Sequence, residues 1–283
     1  MNTRSTCFAR RQGLFGVAVL AFAAGSATAD INHPSFSSVS DLTLVGAATQ
    51  NAGSIMLTPS AGSIAGAAWT AAKQNVSIGF DTSITFHVQD KHGGGADGVA
   101  LVIQNSSGTA LGGSGGAMGF ACNPVYGQQG ISNSLAIELD MWTNNASQWN
   151  EPGANHISFQ SRGTQENMPD MSASLASAET PDLSDGSEHT LRVIYTSGLL
   201  TAYIDGSLHP ALQSEIDLST LLNLDGGKAW VGVTSGTGGF VDREAHVLDS
   251  WMFNTTAVPS PGVASLVAIG GLMLAGRRRR TAE

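Results

Sequence analysis

The chain has 283 residues, 12% of them charged and 42% hydrophobic, with 35 glycines and a formal net charge of −9. An acidic chain with so few cations lacks the basic face that phosphate binding needs, which excludes nucleic acid as a partner. Scarce helical periodicity and abundant glycine argue against a helical bundle.

In chain order, Arg4, Arg10 and Arg11 precede an apolar run from Leu14 to Ala24, followed by Ala27-Thr28-Ala29. This is the layout of a secretory signal peptide with a small-residue cleavage site, and the run is about half of the ~20 residues that a spanning helix needs. Residues 1–29 are therefore expected to be removed on export. Short strand-like segments then recur between turn signals: Val76 to Asp90 alternates, Gly98 to Gln104 is a continuous apolar run, and His189 to Leu208 reads as two strands joined at Ser197-Gly198. The segments from Trp230 to Gly239 and Ala245 to Phe253 complete the set, and one helical turn is expected near Leu218 to Leu222. The Gly-rich stretches 93–95 and 112–119 read as loops within one domain. This pattern predicts an all-β sandwich of two antiparallel sheets over residues 30–257.

The tail has its own order. Pro259-Ser260-Pro261-Gly262 introduces an apolar run from Val263 to Ala275, closed by Arg277, Arg278, Arg279 and Arg280. With both termini set aside, residues 30–260 hold six basic residues against 21 acidic ones, a net charge of −15. Cys122 is the one cysteine of that span. No internal disulfide can form, and with no base near it in sequence Cys122 reads as a small buried or half-buried thiol.

The stretch from Leu135 to Phe159 raises an electrostatic problem. Read as a strand, it places Leu135, Ile137, Leu139 and Met141 on one face and Ala136, Glu138, Asp140 and Trp142 on the other. Two carboxylates on one face disfavour each other unless one is protonated or a cation lies between them. Asn144, the Trp142 carbonyl, Glu151 beside Pro152-Gly153, and His156 could supply further ligands. Oxygen donors suit calcium, and carboxylates with an imidazole suit a transition ion such as manganese. The alternative is that Glu138 and Asp140 are solvated on an open face while His156 caps a strand.

Two resemblances bear on these readings. The segment from Leu135 to Ile157 resembles the metal-binding stretch of the legume, or L-type, lectins, which reads Glu-x-Asp-x-aromatic-x-Asn, a short loop, Asp-Pro, then His. Residues 96–104 resemble that family's Ala-Asp-Gly strand entry, and residues 230–253 resemble its closing strands. The resemblance implies a concanavalin-like jelly roll that binds calcium, with manganese or another transition ion beside it. Glu138, Asp140, Glu151 and His156 would hold the transition ion, and Asp140, the Trp142 carbonyl, Asn144 and Glu151 the calcium. It also implies a sugar site: Asp97 and Asn144 for hydroxyl groups, a cis peptide at Ala96-Asp97, Trp142 for stacking, and a backbone N–H from Gly116. Glu151 stands where the family has Asp, and the loop before it is longer. Gly238 and Gly239 fall where the family's specificity loop begins and read as an ordinary turn, while His246 and Trp251 read as packing residues.

The tail, 258–283, is similar to bacterial PEP-CTERM sorting signals, with Ser260 at the position where the family name implies Glu. That similarity implies transient membrane association, cleavage by an exosortase, and release to the cell surface or extracellular matrix, where a glycan or exopolysaccharide would be the partner. Two rivals stand beside the lectin. Glycoside hydrolases on such sandwiches need a second carboxylate after Asp140, but Met141, Trp142, Thr143 and Asn144 follow it. A structural matrix protein without sugar binding is the other, so the expectation is a binding protein and not an enzyme.

Overall fold

The computed structural model describes residues 31–144, 149–196 and 198–255. The leader 1–29, the tail 258–283 and Ser197 of the expected turn lie outside the described residues.

The strands are β1 (Ile31–His33), β2 (Leu42–Gly46), β3 (Thr49–Asn51), β4 (Ser54–Thr58), β5 (Ala65–Thr70), β6 (Gln74–Asn75), β7 (Gly79–His92) and β8 (Asp97–Gln104). They continue as β9 (Ser134–Asp140), β10 (His156–Ser161), β11 (Ser174–Glu179), β12 (His189–Thr196), β13 (Leu199–Ile204), β14 (Leu212–Glu215), β15 (Lys228–Thr237) and β16 (Arg243–Asn254). One antiparallel sheet runs β14-β13-β12-β7-β16-β4-β3 with β1 against β16, and the second runs β11-β10-β9-β8-β15-β5-β2 with β6 against β15. The expected helical turn forms as α1 (Leu218–Leu221), started by the Asp217 carboxylate accepting from Ser219 N–H.

The two sheets differ in burial because they differ in what covers them. In β7, Phe80, Thr82, Ile84, Phe86 and Val88 are buried while Asp81, Ser83, Thr85 and His87 between them are partly exposed, the period of a half-buried strand. In β8 and β9 every residue is buried. Their inner side chains, Val99, Leu101, Ile103, Leu135, Ile137 and Leu139, join the main core between the sheets. On the outer face, Ala100, Val102 and Ala136 join a second cluster with Met118, Phe120 and Ile131. The Gly-rich stretch expected to be a loop therefore also forms a lid. It carries a short 3-10 turn at Gly115–Ala117 and, with the residues that follow it as far as Ile131, packs across the outer face of the second sheet. Double burial is why Gly98 to Gln104 is continuously apolar rather than alternating.

β9 ends at Asp140, two residues short of the alternation in the sequence. The Trp142 N–H donates to Asp140 Oδ1 at 2.8 Å instead of to a neighbouring strand, so Trp142 leaves the carboxylate face. Trp251 lies in the main core. His246 is also fully buried, with Nδ1 2.8 Å from Thr58 Oγ1.

Phe159, fully buried in β10, tests the main core. Phe159→Ala is expected to cost about 3–5 kcal/mol, whereas Leu175→Ala, on the partly exposed edge strand β11, is expected to cost under about 1 kcal/mol. Urea denaturation followed by tryptophan fluorescence measures both.

Candidate functional site

Five connections meet at one end of the second sheet: those joining β4 to β5, β7 to β8, β8 to β9, β9 to β10 and β15 to β16. They enclose a cavity of about 250 Å³ lined by Asp97, Gly116, Trp142, Asn144, Trp149 and Asp242 among others. Loops carried on rigid strands are where binding residues can be added without disturbing a core.

Asp97 opens β8. Its backbone is fixed by the Met141 N–H donating to its carbonyl at 2.8 Å, and the Ala96-Asp97 peptide is cis, as the resemblance implied. Its Oδ1 accepts from Asn144 Nδ2 at 3.2 Å, while Oδ2 is buried without a partner. Asn144 donates its backbone N–H to Glu151 Oε2 at 2.7 Å and keeps its own Oδ1 buried and unpartnered. Gly116 is required by close approach, because a Cβ there would run into Asn144 Oδ1 and the Trp149 ring. A Cβ on Gly94 would likewise meet the Trp142 ring, and one on Gly95, where φ is +84°, would meet the Glu244 carboxylate.

Behind Asp97 and Asn144 lies the carboxylate group that the sequence brought forward. In register, Asp140 faces Gly98 on one side and His156 on the other. Glu138 and Asp140 are 1% and 2% exposed, so the solvated alternative does not hold. Glu138 Oε1 accepts from Gln160 Nε2 at 2.9 Å and lies 3.5 Å from His156 Nε2. Burial, then the charges of Glu151 and Glu138, push Asp140 well above the usual carboxylate range, against the Trp142 N–H bond. Burial and the charges of Glu151, Glu244 and Asp242 push Asp97 up to about 8. Glu151 is raised to about 7 by burial, opposed by the Asn144 N–H and by His156. Burial pulls His156 down, but the hydrogen bond and charge of Glu138 outweigh it and hold the imidazole above its ordinary value.

Among the described residues no three His, Cys, Asp or Glu side chains already stand together as a ligand set. The donor chemistry is nevertheless that of a hard cation. Asp97 Oδ2, Glu138 Oε2, Asn144 Oδ1 and Glu151 Oε1 are buried oxygens without hydrogen-bond partners, and a buried acceptor left unpaired costs about 1–3 kcal/mol.

A family model described as a legume lectin beta-barrel domain matches residues 31–250. The chain belongs to the legume (L-type) lectin family. It is 25% identical over 238 residues to a lectin of Bauhinia forficata, a match covering 80% of this chain and 95% of that one. The structure of the Bauhinia forficata lectin in complex with GalNAc is similar at a TM-score of 0.64, with 25% identity, covering 80% of this chain and 97% of that one. A Lotus tetragonolobus seed lectin is similar at a TM-score of 0.64 with 23% identity, covering 81% and 99%. Lectin I-B4 of Griffonia simplicifolia, solved in a metal-free form, has a TM-score of 0.63 and 23% identity, covering 79% and 98%.

Lectins bind carbohydrate without transforming it, so membership decides for binding over hydrolysis. In this lectin chain the predicted sugar residues Asp97, Gly116, Trp142 and Asn144 line one cavity, with Glu151 hydrogen-bonded to Asn144 and Asp140 to Trp142. Gly238 and Gly239, read as an ordinary turn, also line the cavity. Sequence reasoning missed Trp149, Tyr126 and Asp242. Trp149 had a signal, since it lies between Asn144 and Glu151, whereas Tyr126 and Asp242 arrive from connections distant in sequence. Cys122 is a free, half-buried thiol that burial pushes up, which opposes a nucleophilic role.

The raised groups fix a sign. Asp97, Asp140 and Glu151 hold protons in the fold that the unfolded chain releases near the ordinary values of 3.8 for Asp and 4.5 for Glu, and raised His156 acts in the same direction. The folded state therefore binds more protons between about pH 4 and pH 8, and stability falls as pH rises through that window. Thermal melts in chelator are expected to give a lower Tm at about pH 8 than at about pH 5. The reverse order would mean that these carboxyls are ionised in the fold.

Proposed function

We propose that this protein is an exported, calcium-dependent lectin that binds glycan or exopolysaccharide at the bacterial cell surface or in the extracellular matrix. Residues 1–29 would be the leader, 30–257 the lectin domain and 258–283 a sorting tail cut by an exosortase-type enzyme after transient membrane association. The observation that carries the binding site is the Asp97–Asn144 hydrogen bond in the cavity wall, with a buried unpartnered oxygen left on each residue.

Asp97 Oδ2 as acceptor and the second N–H of the Asn144 amide as donor, held side by side at the edge of a cavity, suit the hydroxyl groups of one sugar ring, and the half-buried Trp142 supplies an apolar face for its C–H surface. Asp140, Asn144, Glu151 and the Trp142 carbonyl would hold calcium, and Glu138, Asp140, Glu151 and His156 a manganese or similar ion. A cation satisfies the unpartnered oxygens of Asn144 and Glu151 and sets their loop relative to Asp97. The Bauhinia forficata lectin was solved with GalNAc, which supports a hexose-sized ligand here.

Glycan-array binding with and without chelator tests the reading: binding that needs calcium and releases no product is expected. Binding to nothing would leave only the structural matrix protein, and release of reducing sugar would favour a hydrolase.

Asp97→Ala removes the acceptor and leaves its hydrogen-bond partners unpaired at about 1–3 kcal/mol, so it is expected to lower sugar affinity about tenfold while leaving calcium binding intact. Asp140→Asn is expected to weaken both, read by calorimetry. Calcium at a hundredfold excess over its Kd is expected to stabilise the wild type by about 2.7 kcal/mol, measured as a rise in Tm. If Asp140→Asn melted higher than wild type and calcium bound to neither, the carboxylates would be a plain repulsion. Amino-terminal sequencing of the native protein is expected to start near Asp30.

A further inference from the structure

The cavity is more acidic than recognition of neutral hydroxyls requires. Asp97, 2% exposed, turns its unpartnered Oδ2 to the wall formed by Gly115, where a Cβ would sit 3.8 Å from it. Asp242 also lines the cavity, and its Oδ1 accepts from the Gly94 N–H at 2.9 Å. Behind them stand Glu138, Asp140, Glu151 and Glu244, and two divalent ions would leave these six carboxylates with a negative excess. None of the described residues lining the cavity is basic. Lys91 Nζ donates to Ser184 O at 2.9 Å, Arg243 donates to the Ser60 and Phe240 carbonyls, and His156 is held behind the cavity by Glu138.

We propose that the cavity selects glycans by charge, preferring hexosamine units with a free protonated amine over their N-acetylated forms and excluding uronate and sulfate glycans. The proposal rests on the lectin reading and names the ligand class of the same site. An ammonium group suits it on two counts. It has three donors and no acceptor, which matches a wall that offers carboxylate oxygens. The aromatic walls, Tyr126, Trp142 and Trp149, present ring faces whose quadrupole attracts a cation rather than competing for it. An anionic sugar finds no donor side chain of opposite charge and meets like charge at short range. Asp242 is the specificity-determining residue in this scheme, because it stands in the cavity wall and the carboxylates behind it are committed to the buried cluster.

The experiment uses the mature protein in calcium, whose charge favours the ionised form of the neighbouring carboxyls, at a slightly acidic pH that keeps the amine charged. Calorimetry compares mono- and disaccharides of glucosamine and galactosamine, each free and N-acetylated, with uronate disaccharides as the anionic arm. The free amines are expected to bind about tenfold more tightly, equivalent to about 1.4 kcal/mol, with the advantage shrinking in salt; uronates are expected not to bind. Asp242→Asn keeps the Gly94 contact but loses the charge, and is expected to bring the ratio of amine to N-acetyl affinity towards one. Equal or tighter binding of the N-acetyl forms, or binding of uronates, overturns the proposal and leaves the lectin reading standing. An amine advantage that survives unchanged in Asp242→Asn also overturns it, because it would then come from the net charge of −15 over residues 30–260. Failure of every sugar to bind overturns both.

Discussion

A carboxylate buried without compensation is among the most costly groups a protein can hold, at several kilocalories per mole even after relaxation. This chain buries Glu138 and Asp140 on one face of one strand, with Asp97 at the mouth of the next. Partial compensation is visible: Gln160 and His156 engage Glu138, the Trp142 N–H engages Asp140, and the Asn144 side chain engages Asp97. The remainder is left to protons or to a cation. Every loop at that end of the sandwich is shaped around this group.

The arrangement explains why every residue of β8 and β9 is buried. Their inner faces belong to the main core, and the outer face of β9 passes from apolar at Ala136 to acidic at Glu138 and Asp140. The lid from residues 110–131 covers the apolar part, and the loops after Asp140 and before Asp97 close over the acidic part. A strand packed on both sides cannot shift register without exposing one core or the other. The carboxylates and Asp97 are thereby held by the same cross-strand pair, Gly98 opposite Asp140, beside which the Met141 N–H donates to the Asp97 carbonyl.

Much of the site was legible because its parts are local. Glu138, Asp140, Asn144, Glu151 and His156 fall within one strand, one loop and the next strand, so spacing alone groups them. The alternation that gives Glu138 and Asp140 a common face is a property of any extended chain. Trp142 broke the pattern because a side-chain acceptor, Asp140 Oδ1, competed successfully for its N–H, a contest that periodicity cannot foresee. Trp149 could have been proposed from its place in the same loop. Tyr126 and Asp242 could not, since their approach depends on how the lid and the β15–β16 connection fold back over the sheet.

The sequence by itself determined the all-β class, the places of β7, β8, β9, β12, β13, β15 and β16, the pairing of acidic residues on one face and the acidity of the span from 30 to 260, because these follow from side-chain period, turn residues and charge count; the short strands β1 to β6, β11 and β14 carry too little alternation to be read this way. Tertiary structure decided whether the acidic face was solvated or buried, since burial depends on neighbouring strands and loops that lie outside the strand's own pattern. It also decided that Asp97, 47 residues upstream, meets Asn144, and that Asp242 joins the same cavity wall. Both contacts are made by loops at one edge of a sheet, and long-range strand order brings such loops together with no trace in local composition.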